Sequence, residues 1–344
     1  MTNVATAAPR TGRGGRRAAG AAIMVAAIIG VGFVSVGVGV VTIPVRDTWE
    51  SFVAYDPGST AHLLAQVQRV PRTILAVLVG ACLGLAGAVM QALTRNPLAE
   101  PGILGVNGGA ACAIACGIAF FGITDVQGYM WLGLIGAAVA GAVVFLLGGA
   151  RRGTNPVRLV LAGAAVTAVL LALSQTVLLN ATSDVYDRYR AWMIGSLSGR
   201  DYAVLGAVAI LGVVGILVAS SLARVLDSAV LGEDAAKALG ANPTRVWATA
   251  GIAVVLLSGA ATAAAGPIVV LGRAAPHLAR LIVGVSHRWV LPYSALIGAL
   301  LILVADTLGR VVSPSHEIGV GIMIAIIGGP FFVWIVRSKK IHAL

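Results

Sequence analysis

The chain has 344 residues, 58% of them hydrophobic and 11% charged, and a mean hydropathy of +0.95. An ordinary soluble domain carries about 25% charged residues, so water-soluble enzymes and binding modules are excluded and a multi-span membrane protein remains. In a soluble protein the net charge of +11 would suggest nucleic acid; here it reports topology.

Residues 1–17 are rich in Gly, Arg and Ala and read as a disordered basic tail. Uncharged windows then run 18–45, 73–94, 101–124, 126–150, 159–183, 202–223, 246–272, 289–305 and 318–336. They lie near the roughly 20 residues that a helix needs to cross a bilayer. The first is too long for a signal-peptide core and shows no clear cleavage site, so it reads as an uncleaved span. A tenth, short span is expected between Gly266 and Val285, interrupted by Arg273 and Arg280. The expected fold is a single all-α membrane domain over 18–344 with about ten transmembrane helices. Small residues such as Gly80 and Gly84, four apart, suit close helix packing in lipid.

An even number of spans puts both termini on one side, and both are basic, through Arg10, Arg13, Arg16 and Arg17 in front and Arg337, Lys339 and Lys340 behind. A cytoplasmic placement also collects Arg95, Arg151, Arg152, Arg158, Arg224, Lys237, Arg245, Arg280 and Arg288 there. It leaves Arg46, Arg69, Arg72, Arg188, Arg190, Arg200 and Arg310 outside. The excess of basic residues inside favours this orientation.

Along the chain, Gln91 to Pro101 is expected to form a rigid cytoplasmic elbow, because two prolines restrict their neighbours. The external segment from Leu178 to Tyr202 carries Tyr186, Tyr189 and Trp192, residues suited to a membrane interface. Between two apolar runs, Arg224 to Trp247 is polar and helix-punctuated. Glu233 and Asp234 suit a helix start, Gly240 a left-handed stop, and Asn242-Pro243 the N-cap and first residue of the next helix. Leu231, Ala235 and Leu239 would form an apolar face rimmed by Glu233, Asp234 and Lys237. This folded segment, about 226–243, reads as a docking surface for a soluble partner; a solvated loop helix is the alternative.

The remaining candidates are weighed singly. Cys82, Cys112 and Cys116 have no His or carboxylate nearby and read as packing residues. His277 has no second His or Cys within a turn, which favours capping or packing over metal ligation. Asp306 is the one carboxylate deep in an apolar run; it could relay protons, but Arg310 four residues on makes a local ion pair the simpler account. A phosphate-cradling G-x-x-x-x-G-K-[ST] loop is absent, so any ATP chemistry belongs to another chain.

Taken in order, Arg69-Val-Pro-Arg72, Gly80-Ala-Cys-Leu-Gly84-Leu-Ala-Gly87-Ala-Val-Met-Gln91 and Arg95-Asn-Pro-Leu-Ala-Glu100-Pro101 are followed by Leu161-Ala-Gly163 and Trp192-Met-Ile-Gly-Ser196. Further on come Leu231-Gly-Glu233, Leu239-Gly240, Ala265-Gly-Pro267, Pro276-His277, His287-Arg288, Ala305-Asp306 and Gly329-Pro-Phe-Phe332. Together they resemble the FecCD (BtuC-like) permeases of type II ATP-binding-cassette (ABC) importers, over nearly the whole chain after the tail. The resemblance implies two oppositely oriented four-helix repeats, about spans 2–5 and 7–10. It also implies a permease dimer (with a second copy or a paralogue), two ATPase subunits and an extracytoplasmic substrate-binding protein, in the cell membrane of a bacterium. ATP and Mg would bind the partner ATPase, with no cofactor or metal on this chain.

By the same resemblance, Leu231, Gly232, Glu233, Asp234, Ala235, Lys237, Leu239 and Gly240 are the ATPase-coupling segment. Arg69, Arg72 and Arg310 would receive acidic residues of the binding protein, as their planar forks suit carboxylates. Asn96, Leu98, Thr154 and Asn155 would narrow the inner mouth of the pathway. Family substrates are ferric siderophores, haem and cobalamin; a ferric siderophore is the first expectation. An ion-coupled secondary transporter is the rival of another class. Two positions depart from the family pattern, Arg273 (expected to face the pathway or a neighbouring carboxylate) and Gly319, where a proline is usual and a looser entry to the last span follows.

Overall fold

A computed structural model describes residues 12–148, 156–229, 242–313 and 316–337, which contain helices and no strand. In chain order they are α1 (Gly12–Gly37), α2 (Val45–Val53), α3 (Thr60–Leu63), α4 (Val70–Thr94), α5 (Val106–Phe121), α6 (Val126–Leu147) and α7 (Pro156–Leu179). There follow α8 (Ser183–Ile194), α9 (Tyr202–Ser221), α10 (Ala223–Ala229), α11 (Pro243–Ala265), α12 (Leu271–Val283), α13 (His287–Gly309) and α14 (Val320–Arg337). Seven helical runs are long and apolar enough to cross a membrane, those built on α1, α4, α6, α7, α9, α11 and α13. The shorter α5, α12 and α14 complete the ten expected spans.

Local chemistry sets the boundaries. Asp125, Asp201 and Asn242 accept from the backbone N–H groups of Gly128 (2.7 Å), Val204 (3.0 Å) and Arg245 (3.2 Å), capping α6, α9 and α11. Pro243 follows Asn242 at the start of α11, as the sequence predicts. Arg95 ends α4 at φ 49°, and Gly266 ends α11 at φ 82°. Between α3 and α4 lies a π-helical turn, Leu64–Arg69. Pro71 has no N–H to donate to the carbonyl four residues back, and the ladder widens just ahead of it.

α4 is the buried axis of the bundle, and three of its glycines let other backbones touch it. A Cβ on Gly80 would sit 2.3 Å from the Gly298 carbonyl oxygen, on Gly84 2.1 Å from that of Ser294, and on Gly87 1.9 Å from that of Gly272. α13 and α12 therefore pack on α4 at backbone distance, the use of small residues expected in lipid. The two four-helix sets, α4–α7 and α11–α14, each have a short second helix, of 16 and 13 residues. Each is reached through chain that is not α-helical, at Arg95–Gly105 and Gly266–Val270. Interrupted helices at matching places in two halves mark the working region of inverted-repeat transporters.

Four expectations change. The tail is helical from Gly12 onward, within the segment expected to be disordered. Tyr293 donates to the Arg17 carbonyl at 2.6 Å, and the Arg17 guanidinium lies 5.9 Å from the Trp289 ring centroid, so α13 holds this turn. Tyr189 and Trp192 are buried rather than set at a membrane interface, and Trp192 Nε1 points to the Ala263 carbonyl at 3.4 Å. The third span begins as a 3-10 turn, Pro101–Leu104, because Gly105 at φ 74° breaks it from α5. Gly319 does not loosen the entry to α14. A Cβ there would lie 2.6 Å from the Gly195 carbonyl oxygen, so the glycine permits a close approach.

Candidate functional site

Two polar clusters sit at opposite ends of α4. The first is at the end where α1 finishes. Arg69 and Arg72 flank Pro71 at the start of α4, and Arg310 follows the last residue of α13. All three are buried, 7%, 8% and 2% exposed, and the structure brings them together around Asp306. Arg72 grips Asp306 with Nη2 at 2.8 Å and Nε at 3.1 Å, while its Nη1 reaches Glu317 at 2.6 Å. Arg310 Nη2 lies 3.1 Å from the other Asp306 oxygen. The expected Asp306–Arg310 pair thus exists, but Arg72 is the closer partner, and Glu317 was not anticipated.

The same arginines finish α1. A helix leaves its last carbonyls without intrahelical partners. Arg310 Nη1 donates to the Ser35 and Val38 carbonyls at 2.9 and 3.2 Å, and Arg69 Nη1 to that of Val36 at 3.0 Å. Arg69 also reaches the Val41 carbonyl, and Arg310 the Ser35 hydroxyl. Guanidinium groups at this end oppose the negative pole of the helix dipole. Nearby, Arg200 Nε donates to the Ala264 carbonyl at 2.7 Å and so caps α11. Burial pushes the Arg200 pKa below the usual arginine range. A cavity of about 500 Å³ opens between these groups, lined by Arg69, Arg72, Arg200, Asp201, Arg310 and Glu317.

The second cluster surrounds the elbow. Asn96 Oδ1 accepts from the Leu98 N–H at 2.9 Å, a turn that fixes the elbow and leaves both side chains exposed. The chain then folds back along α4. Pro101 Cδ would meet a Cβ on Gly272 at 2.8 Å, and Gly272 is the residue packed on Gly87. Gly87 lies seven residues before the end of α4, or about 10 Å at 1.5 Å per residue. The elbow is therefore re-entrant.

At that depth Glu100 pairs with Arg273 at 2.7 Å, which answers where the unusual arginine turns: to a carboxylate of the other repeat in the same chain. Gln91 Nε2 approaches the Arg273 carbonyl at 3.4 Å, and its Oε1 accepts from Arg280 at 2.7 Å. Glu100 Oε2, Arg273 Nε and both Nε and Nη2 of Arg280 are buried without a hydrogen-bond partner. Beside this cluster Asp227 of α10 accepts from the His287 N–H at 2.6 Å and from Nδ1 of the same ring at 2.9 Å, tying α10 to α13.

The coupling residues Leu231, Gly232, Glu233, Asp234, Ala235, Lys237, Leu239 and Gly240 lie outside the described residues, as do Thr154 and Asn155. Among the described residues no group of three or more His, Cys, Asp or Glu could hold a metal ion. Sequence reading missed the Glu100–Arg273 and Asp227–His287 pairs. A signal for the first existed, since opposite charges occur in the two interrupted segments.

The profile of the FecCD transport family matches residues 26–338. The chain belongs to the FecCD transport family. Among similar FecCD proteins is the ferric enterobactin transport system permease protein FepD of Escherichia coli (strain K12), 45% identical over 273 residues, which cover 79% of this chain and 81% of that protein. The iron(3+)-hydroxamate import system permease protein FhuB of Bacillus subtilis (strain 168) is 38% identical over 309 residues, covering 90% and 80%. A solved structure described as an inward-facing metal-chelate type ABC transporter superposes with a TM-score of 0.81 at 27% identity. It covers 92% of this chain and 98% of the other. The fold is thus the BtuC-like ten-helix arrangement with inverted repeats.

Proposed function

We propose that this FecCD chain is the membrane permease of an ABC importer that moves a ferric siderophore inward, driven by ATP hydrolysis on a partner subunit. The observation that carries the reading is the 45% identity to a ferric enterobactin permease over four-fifths of that protein. It is supported by the superposition on a metal-chelate type ABC transporter over 92% of this chain.

In this reading the α1 start and the elbow face the cytoplasm of a bacterial cell, and the cluster around Asp306 faces outward. Leu231 to Gly240 of each permease subunit docks one of two ATPase subunits, which carry the ATP and Mg. The outer cavity, lined by four arginines and by Asp201 and Glu317, meets a substrate-binding protein, and its excess of positive charge attracts it. A second permease subunit completes the pathway, with Asn96 and Leu98 at its inner mouth. Haem or cobalamin as cargo is the nearer alternative, and ion-coupled transport the distant one.

The test is uptake of a radio-iron hydroxamate or catecholate complex into proteoliposomes containing the chain, its ATPase and its binding protein. Uptake that needs ATP and survives ionophores is expected. Uptake that stops when ion gradients collapse, with ATP present, would leave the secondary-transport reading standing.

A further inference from the structure

A second cavity, of about 780 Å³, lies between α9, α10, α13 and Leu85 of α4, away from the outer cluster. Its lining changes character with depth. At the mouth stand Ser220 and Ser221 at the end of α9, Arg224 on α10 and Arg288 at the start of α13, all exposed. Further in are Ile216, Leu291, Ala295 and Leu296. Leu296 is eight residues beyond Arg288, so the apolar part extends about 12 Å along α13.

Two cations and two hydroxyls above an apolar slot on a membrane helix match a lipid with an anionic headgroup. Basic pockets between helices at the membrane edge take such headgroups. Charge complementarity selects the occupant: two guanidiniums line the cavity against one nearby carboxylate, Asp227, which is turned to His287 and Ser286, so the balance at the mouth is positive. His287 also lines the cavity; it is only 1% exposed, and its Nδ1 is held by Asp227.

We propose that this cavity is a binding site for an anionic phospholipid. The phosphate lies between Arg224 and Arg288, and one acyl chain follows the slot toward Leu296. The proposal depends on the topology above only for the leaflet that supplies the lipid, the cytoplasmic one.

The test is native mass spectrometry of the purified full chain after exchange into equal amounts of phosphatidylglycerol and phosphatidylcholine. Wild type is expected to retain phosphatidylglycerol selectively, and R224Q/R288Q to lose that selectivity about thirtyfold, since each arginine near an anionic surface is worth roughly fivefold. Both arginines are exposed, so the double variant keeps its fold, checked by gel filtration. L296W, which fills the slot, should weaken both lipids. Equal retention by wild type and R224Q/R288Q overturns the proposal, and so does displacement of the lipid by glycerol phosphate, which would mean that an anion alone is bound. Topology is read separately: in sealed right-side-out vesicles N96C should resist an impermeant maleimide. Labelling there would refute the cytoplasmic placement without touching the retention result.

Discussion

The two ends of α4 use the same chemistry to opposite effect. At one end Arg69, Arg72 and Arg310 find two carboxylates and the last carbonyls of α1. At the other, Arg273 and Arg280 share Glu100 and Gln91, and four buried polar atoms of that group are left unmatched. A satisfied network is stiff, because every alternative arrangement loses bonds; a half-satisfied one carries the cost of its unpaired buried groups. The start of α4 is thus a fixed clamp, and its other end a partly matched joint where one repeat meets the other.

The comparison breaks first at Asp306. D306A leaves Arg72 and Arg310 buried without their shared counter-ion and should destabilise the purified protein by about 3–5 kcal/mol, read by tryptophan-fluorescence unfolding. A loss comparable to that of a surface variant would mean that the outer network is not a clamp. G87A comes next. Its Cβ would meet the Gly272 carbonyl at 1.9 Å, so α12 must shift off α4, at about 1–3 kcal/mol, and carry Arg273 away from Glu100.

Double-mutant cycles sharpen the contrast. Arg72 with Asp306 should couple by more than about 2 kcal/mol, and Arg273 with Glu100 by less than about 1 kcal/mol, as the second pair is more exposed. E100Q should nevertheless alter iron uptake more than it alters stability, which transport in proteoliposomes against the unfolding midpoint would reveal. Equal coupling at both ends would dissolve the distinction. At the bottom of the scale, R46A removes an exposed i,i+4 pair with Glu50 and should leave the midpoint unchanged.

Much of this was legible from residue order. Charge-free windows give nine spans and a short Gly/Pro-bearing stretch the tenth, Asn242-Pro243 marks a helix start, and Gly80 and Gly84 announce close packing. Arg69, Arg72 and Arg310 were placed at one end because each closes or opens an apolar run. Their partners were not legible. Arg72 and Asp306 are 234 residues apart, and helical periodicity carries no information over that range. Asp306 next to Arg310 was found because four residues make one turn. The re-entrant elbow was hidden for a related reason: two prolines predict rigidity, while the depth depends on Gly87 and Gly272 meeting across the bundle.

The long separation between Arg72 and Asp306 also orders events at the ribosome. At roughly 5–20 residues per second, Arg72 is made about 10–50 seconds before the carboxylate that neutralises it. During that interval Arg72, in the first turn of α4, lacks the carboxylate it pairs with and can extend toward the headgroups. Arrival of α13 then supplies Asp306, with Arg310 emerging close behind. Burial of Arg72 against a carboxylate thus waits for the last part of the chain, and a nascent chain truncated before Asp306 should remain open to protease at Arg69 and Arg72.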